Sequence, residues 1–206
     1  MAAQLPRLLL VNASLAGDSG NTAVFLAQAK RLLARRARVE SIKLAGVVPA
    51  VRPTTPPCDF AAIQSKLAAA DGFLFGTGTH WDSWSSVLQQ FLEAATATEA
   101  TALWLGKPAA VVVSEHSTGG KGVLSRLQGV LVTLGCSLPP MSGLVLSRAA
   151  LIAAKHDDVA ARDFWCEDDL RVVCHNLAEA AAGGKRWRTW PVDRHDFKAR
   201  WIEPKS

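Results

Sequence analysis

The chain has 206 residues, 49% of them apolar and 20% charged, with a formal net charge of +5. That size and composition fit one large domain with a sizeable core and exclude global disorder. The charge is uneven: residues 185–206 hold seven Lys or Arg against three acids, so the first 184 residues carry only +1. The body therefore lacks the basic footprint of a nucleic-acid binder.

The first apolar run, Leu8–Val11, is too short for a signal-peptide core or a membrane span, and no later stretch reaches membrane length without charge or glycine. The expectation is a soluble, cytoplasmic protein. Arg7–Val11 reads as a strand buried on both faces of a parallel sheet. Phe25, Leu26, Ala29, Leu32 and Leu33 then recur at helical spacing, with Arg31, Arg35 and Arg36 on the other side. Val39–Leu44 alternates as a less buried strand, nearer an edge. A Pro- and Thr-rich loop over Val47–Pro57 leads to a helix over Phe60–Ala69.

Asp71–Gly76 is the third strand, and Ser85–Ala95 carries the next amphipathic helix. Pro108–Ser114 is a fourth buried strand, and Gly119-Gly120 opens a helix with Val123, Leu124, Leu127 and Leu131 on its apolar face. Leu144–Leu146 is the candidate fifth strand. A last helix is expected from about Asp158 to Ala182, with a break near Trp165. Strand and helix alternate through five strands, which predicts an α/β sandwich on a parallel sheet. Spacing leaves two strand orders open, 2-1-3-4-5 and a Rossmann-type order, and both collect ligands at the carboxyl ends of the strands. The domain is expected over 1–184, with 185–206 a basic, Trp-rich extension. Cys58, Cys136, Cys166 and Cys174 form no CxxC pair and no zinc-spaced cluster, so they read as buried, reduced and inert.

Three strand-to-helix loops carry the chemistry. The first, Asn12–Thr22, clusters Ser14, Ser19, Gly20, Asn21 and Thr22 at a helix start, where unpaired N–H groups and the helix dipole attract an anion. One residue would suffice for capping; several within nine positions favour phosphate. No G-x-G-x-x-G follows the strand and no Walker P-loop occurs anywhere. With no Lys in the loop, a monophosphate fits better than a nucleoside triphosphate or dinucleotide. The second loop, with Thr77, Gly78, Thr79, His80 and Trp81, offers close backbone approach and flat surfaces for a fused ring. The third, Ser114 to Lys121 with His116, Ser117, Gly119 and Gly120, again places backbone donors at a helix start.

The segments NASLAGDSGNT, ADGFLFGTGTHWDSWSSVLQQFLEAA and GKPAAVVVSEHSTGGKGVLSRLQGVLVTLGC resemble the NADPH-dependent FMN reductase family and its quinone- and azo-reducing relatives, over about Leu8–Leu146. That resemblance implies a flavodoxin-like three-layer sandwich with sheet order 2-1-3-4-5 and FMN as cofactor. It maps the FMN phosphate to Ser14, Ser19, Gly20, Asn21 and Thr22, the ring to Gly78–Trp81, and a third contact to Ser114–Gly120. Gly78 stands where the family has Pro and His80 where it has Tyr; a charged His there would favour an anionic reduced flavin. Hydride would pass from NADPH or NADH to flavin N5 and on to a small acceptor such as a quinone, azo compound or free flavin, with no catalytic side chain. The family's homodimers or homotetramers are the expected assembly.

Two rivals stand beside this reading. One is a one-electron flavodoxin-like carrier, which the near-neutral body disfavours. The other is a non-catalytic FMN-binding or regulatory protein, kept in view by the basic extension. Trp187, Trp190 and Trp201 interleave with Arg and Lys there, a pattern suited to single-stranded nucleic acid or an anionic membrane. The preferred reading is that the segment lies back on its own domain or on a partner subunit.

Overall fold

Continuous apolar strands need cover on both faces, and the chain meets that need with a single sheet. The computed structural model describes residues 4–46, 59–156 and 164–190. Its strands are β1 (Arg7–Asn12), β2 (Arg38–Lys43), β3 (Gly72–Gly78), β4 (Ala109–Glu115) and β5 (Gly143–Ser147). All pair in parallel, in the order β2-β1-β3-β4-β5. The Rossmann-type alternative is thereby excluded, and the sparsely buried β2 lies at an edge, as its alternation predicts.

Among the described residues the helices are α1 (Asn21–Leu33), α2 (Ala61–Ala69), α3 (Ser86–Ala95), α4 (Gly120–Leu134), α5 (Arg148–Ala153) and α6 (Leu170–Ala181). Alternate strand residues divide the core in two. Leu8, Leu10, Leu74 and Val112 pack with α1 and α6, while Leu9, Val11, Phe73, Phe75 and Val111 pack with α2, α3 and α4. On the latter face the Trp104 ring lies 5.2 Å from that of Phe73 and 6.2 Å from that of Phe91, centroid to centroid, an arrangement that adds to their burial. Among the described residues no helix is long and apolar enough to cross a membrane.

Two elements differ from expectation. A short helix, α5, follows β5 directly, started by Ser147, whose hydroxyl accepts from Ala150 N. The last helix begins at Leu170, after a 3-10 turn over Glu167–Asp169. Trp165 precedes it, outside any helix among the described residues, and packs against both cores. Residues 157–163, where that helix was expected to start, lie outside the described residues, as do the Val47–Pro57 loop, Cys58 and Trp201. Cys136 and Cys174 are buried, which pushes each thiol up to about 12 and removes its reactivity. Cys166 is only partly buried.

The start of the extension packs on α6 through polar side chains buried along that helix. Asn176 donates to Pro140 O at 2.8 Å and to Arg188 O at 2.9 Å, and accepts from Arg188 N at 2.8 Å. His175 Nε2 lies 2.7 Å from Arg186 O. Glu179 accepts from Arg186 Nε at 3.0 Å, and that hydrogen bond holds its carboxyl below the ordinary carboxylate value. A lowered carboxyl contributes at neutral pH and loses its contribution as the pH falls through the folded value. Trp190 ends the described segment edge-on to Trp165, at 5.8 Å.

Candidate functional site

The carboxyl ends of β1, β3 and β4 are adjacent, so their three loops share one edge of the sheet. The first is built by its own polar atoms. Asn12 Oδ1 accepts from Ser14 N at 3.0 Å, and Asn12 Nδ2 donates to Gly17 O at 3.1 Å. Ser14 Oγ accepts from Ala16 N at 3.2 Å, and Ser19 Oγ donates to Ala16 O at 2.8 Å. Gly20 must lack a side chain, because a Cβ there would collide with Ser14 Oγ. An ion pair of Lys43 with Asp18, at 2.6 Å, braces the outside and leaves the loop near neutral.

At the start of α1 no side chain caps the helix. The first-turn amides of Asn21 and Thr22 have no intrahelical acceptor, as at every helix start. Here they open beside buried Ser14 and buried Thr22. Plain capping therefore does not account for the cluster of hydroxyls, and the arrangement fits a bound anion. Thr22 reaches across to Ser114, Oγ to Oγ at 3.0 Å, joining the first loop to the third.

The second loop is a tight reversal. His80 and Ser83 exchange backbone hydrogen bonds of 2.8 and 3.0 Å, while Trp81 and Asp82 between them hold φ of +48° and +58°. Two positive φ values are those of a type I′ turn, here without glycine. The turn leaves Trp81 fully exposed at its tip. Thr77 is buried and serves the loop itself, accepting from Ser85 N at 3.2 Å. Thr79 N donates to Ser114 O at 2.9 Å, and its buried hydroxyl has no partner. Such an orphan costs about 1–3 kcal/mol unless a ligand satisfies it. Gly78 is open enough to admit a Cβ, 3.4 Å from His80 Nε2. Trp84 turns towards the core and donates to Gln89 at 2.8 Å.

The third loop differs from its expected role. Gly119, at φ +90°, caps α4, but Gly120 N donates to Glu115 Oε2 at 2.5 Å. The chain's own carboxylate thus occupies this helix start. Asp82 presses against Gly119, where a Cβ would collide with its Oδ1, so the second and third loops are locked together. His116 is exposed and points to Arg148, 3.2 Å away, and Ser117 is exposed. Beside α1 lies a cavity of ≈ 470 Å³ lined by Asn21, Phe25, Ser114, Glu115, Arg148 and Glu167.

Sequence reasoning passed over Ser85, which is fully buried, donates to Ala13 O at 2.6 Å and caps α3 through Leu88 N. Its signal was a serine placed one residue before an apolar helix. The contact of Asp82 with Gly119 and the approach of Arg148 to His116 gave no such signal, since only the fold creates them. As a group, the residues of the first and second loops fit a flavin phosphate: an open helix start, a glycine cradle and an orphaned hydroxyl. The third loop fits in part, through Ser114 and not through the Gly120 amide.

Comparison with known proteins finds the same fold in several flavoproteins. RosB, solved with the bound intermediate 8-demethyl-8-formylriboflavin-5′-phosphate, is 16% identical, covers 98% of this chain and 96% of its own, and superposes with a TM-score of 0.67. FerB, an NAD(P)H:(acceptor) oxidoreductase from Paracoccus denitrificans, is 17% identical over 87% of this chain and 98% of its own, with a TM-score of 0.62. A flavodoxin, WrbA-like protein from Agrobacterium tumefaciens is 16% identical over 87% and 99%, with a TM-score of 0.59. These likenesses establish a shared fold. No curated protein sequence matches. The family profile described as NADPH-dependent FMN reductase matches residues 6–150, which contain all three loops, and the chain belongs to that family.

Proposed function

We propose that this protein binds FMN at the three loops and uses it to pass hydride equivalents from NADPH or NADH to a small acceptor such as a quinone, an azo compound or free flavin. The observation that carries the reading is the uncapped start of α1 within a loop of buried hydroxyls. The backbone amides of Asn21 and Thr22, the Asn21 side-chain amide and the Ser14 hydroxyl hold the phosphate there. Thr79 supplies its orphaned hydroxyl to the ligand, and Trp81 gives a flat surface on the open side. FMN, when bound, supplies the hydride-accepting centre. The side chains orient and bind, and no acid–base pair is required of them.

RosB holds a riboflavin 5′-phosphate derivative, which supports a flavin phosphate as the ligand class here. The small net charge of the first 184 residues favours turnover with small molecules over docking as an electron carrier. The same reading includes a cytoplasmic homodimer or homotetramer. An absorbance spectrum of the purified protein, followed by NADPH or NADH without oxygen, tests it. A flavin band that bleaches supports an oxidoreductase. A band that neither nucleotide bleaches leaves only the carrier or scaffold reading, and absence of FMN binding sinks the proposal.

A further inference from the structure

A second concentration of charge lies at the opposite edge of the sheet, where no flavin loop reaches. Arg7 of β1 and Arg38 of β2 are register partners. Both lie two residues from a neighbour on the face covered by α2: Arg7 from Leu9, which packs with Ile63 and Leu67, and Arg38 from Glu40, the partner of Leu9. Like charges directly opposite on neighbouring strands repel. Among the described residues, neither guanidinium has a carboxylate within ion-pair distance. Glu40 is taken by Lys66 at 2.6 Å.

The obvious local use for these arginines is absent. Cations gather at helix C-termini to satisfy the last carbonyls. The end of α2 is already served, since Lys107 Nζ donates to Leu67 O at 3.0 Å and to Ala68 O at 3.2 Å. The arginines instead rim a cavity of ≈ 300 Å³ with Lys66 and Glu40, above a floor that includes Leu9 and Ala70. Three cations against one acid leave an excess of two positive charges. Arg35 and Arg36, in the turn just before β2, add to the field, with no acid between Asp18 and Glu40 in the sequence. An apolar floor beneath two fork-shaped guanidinium donors suits a dianion with a small organic body.

We infer that this cavity is a second anion site, which binds a small organic phosphate monoester between Arg7 and Arg38. The site is independent of the flavin loops, and its test separates the two. Phenyl phosphate serves as the probe in calorimetric titrations and thermal unfolding of the full-length protein. Saturable binding is expected both in the wild type and in a Ser14→Ala/Asn21→Ala variant, which lacks the first-loop side-chain donors to an anion. Arg7→Gln/Arg38→Gln is expected to weaken it at least tenfold while leaving FMN affinity unchanged. Without the probe, Arg38→Gln alone relieves the repulsion and raises Tm by about 1–3 °C. The inference is overturned if the Ser14→Ala/Asn21→Ala variant shows no saturable binding, or if the double arginine variant binds as the wild type does. A Tm of Arg38→Gln at or below the wild type overturns it as well.

Discussion

The first and third loops are the same device put to different uses. Each carries the chain from the carboxyl end of a strand into a helix, each is rich in glycine and hydroxyls, and each ends where a helix offers unpaired amides. In the third, Glu115 reaches forward to Gly120 N and fills the place an anion would take. In the first, no side chain caps α1, and Asp18, the only carboxylate in the loop, pairs outward with Lys43. A helix start thus becomes a ligand site when the chain's own acids are turned away from it. Local composition alone does not decide this.

The contrast can be broken in order of expected effect. Removing the first loop's side-chain donors in a Ser14→Ala/Asn21→Ala variant, with the backbone amides left in place, costs two hydrogen bonds to a charged phosphate, each worth about 1.5–3 kcal/mol. FMN affinity measured by fluorescence titration is expected to fall roughly 100-fold or more. Full retention of affinity would place the phosphate elsewhere.

Thr79→Val replaces an orphaned buried hydroxyl with a methyl of similar shape. The apoprotein is expected to gain about 1 kcal/mol in chemical denaturation, while FMN affinity drops about tenfold. A gain in stability with unchanged affinity would show that the hydroxyl never meets the ligand.

Glu115→Ala opens the α4 start and strands the Gly120 amide. Stability is expected to fall by about 1–2 kcal/mol, as for a lost cap, with FMN affinity changed less than about threefold. A loss of affinity as deep as that of the first-loop variant would erase the distinction between the two loops.

Much of the fold was legible in the sequence. Continuous apolar strands at Leu8, Phe73 and Val111 announced a sheet buried on both sides, and helical spacing announced its cover. Strand order came from the family resemblance, because it depends on which strands neighbour each other and spacing carries no such information. Helix α5 was missed because Arg148–Ala153 is too short to show a period. The polar residues His175, Asn176 and Glu179 of α6 carried no sign of burial, and they are buried because the extension supplies their partners. In the site, hydroxyl clustering singled out the first loop, and Ser14, Gly20 and Thr22 do converge at the start of α1. Ser19 and Thr77 instead serve the loops themselves. The engagement of Gly120 by Glu115 could not be read, since a helix start does not reveal which carboxylate will turn towards it.

The central claim is that the open start of α1 holds the phosphate of the flavin, and it is tested most directly by titrating the wild-type apoprotein with FMN and with riboflavin in parallel. The two ligands differ only in the phosphate. The account predicts that FMN binds at least about 100-fold more tightly, and that this margin collapses in the Ser14→Ala/Asn21→Ala variant. Equal affinity of the wild type for FMN and riboflavin would contradict it.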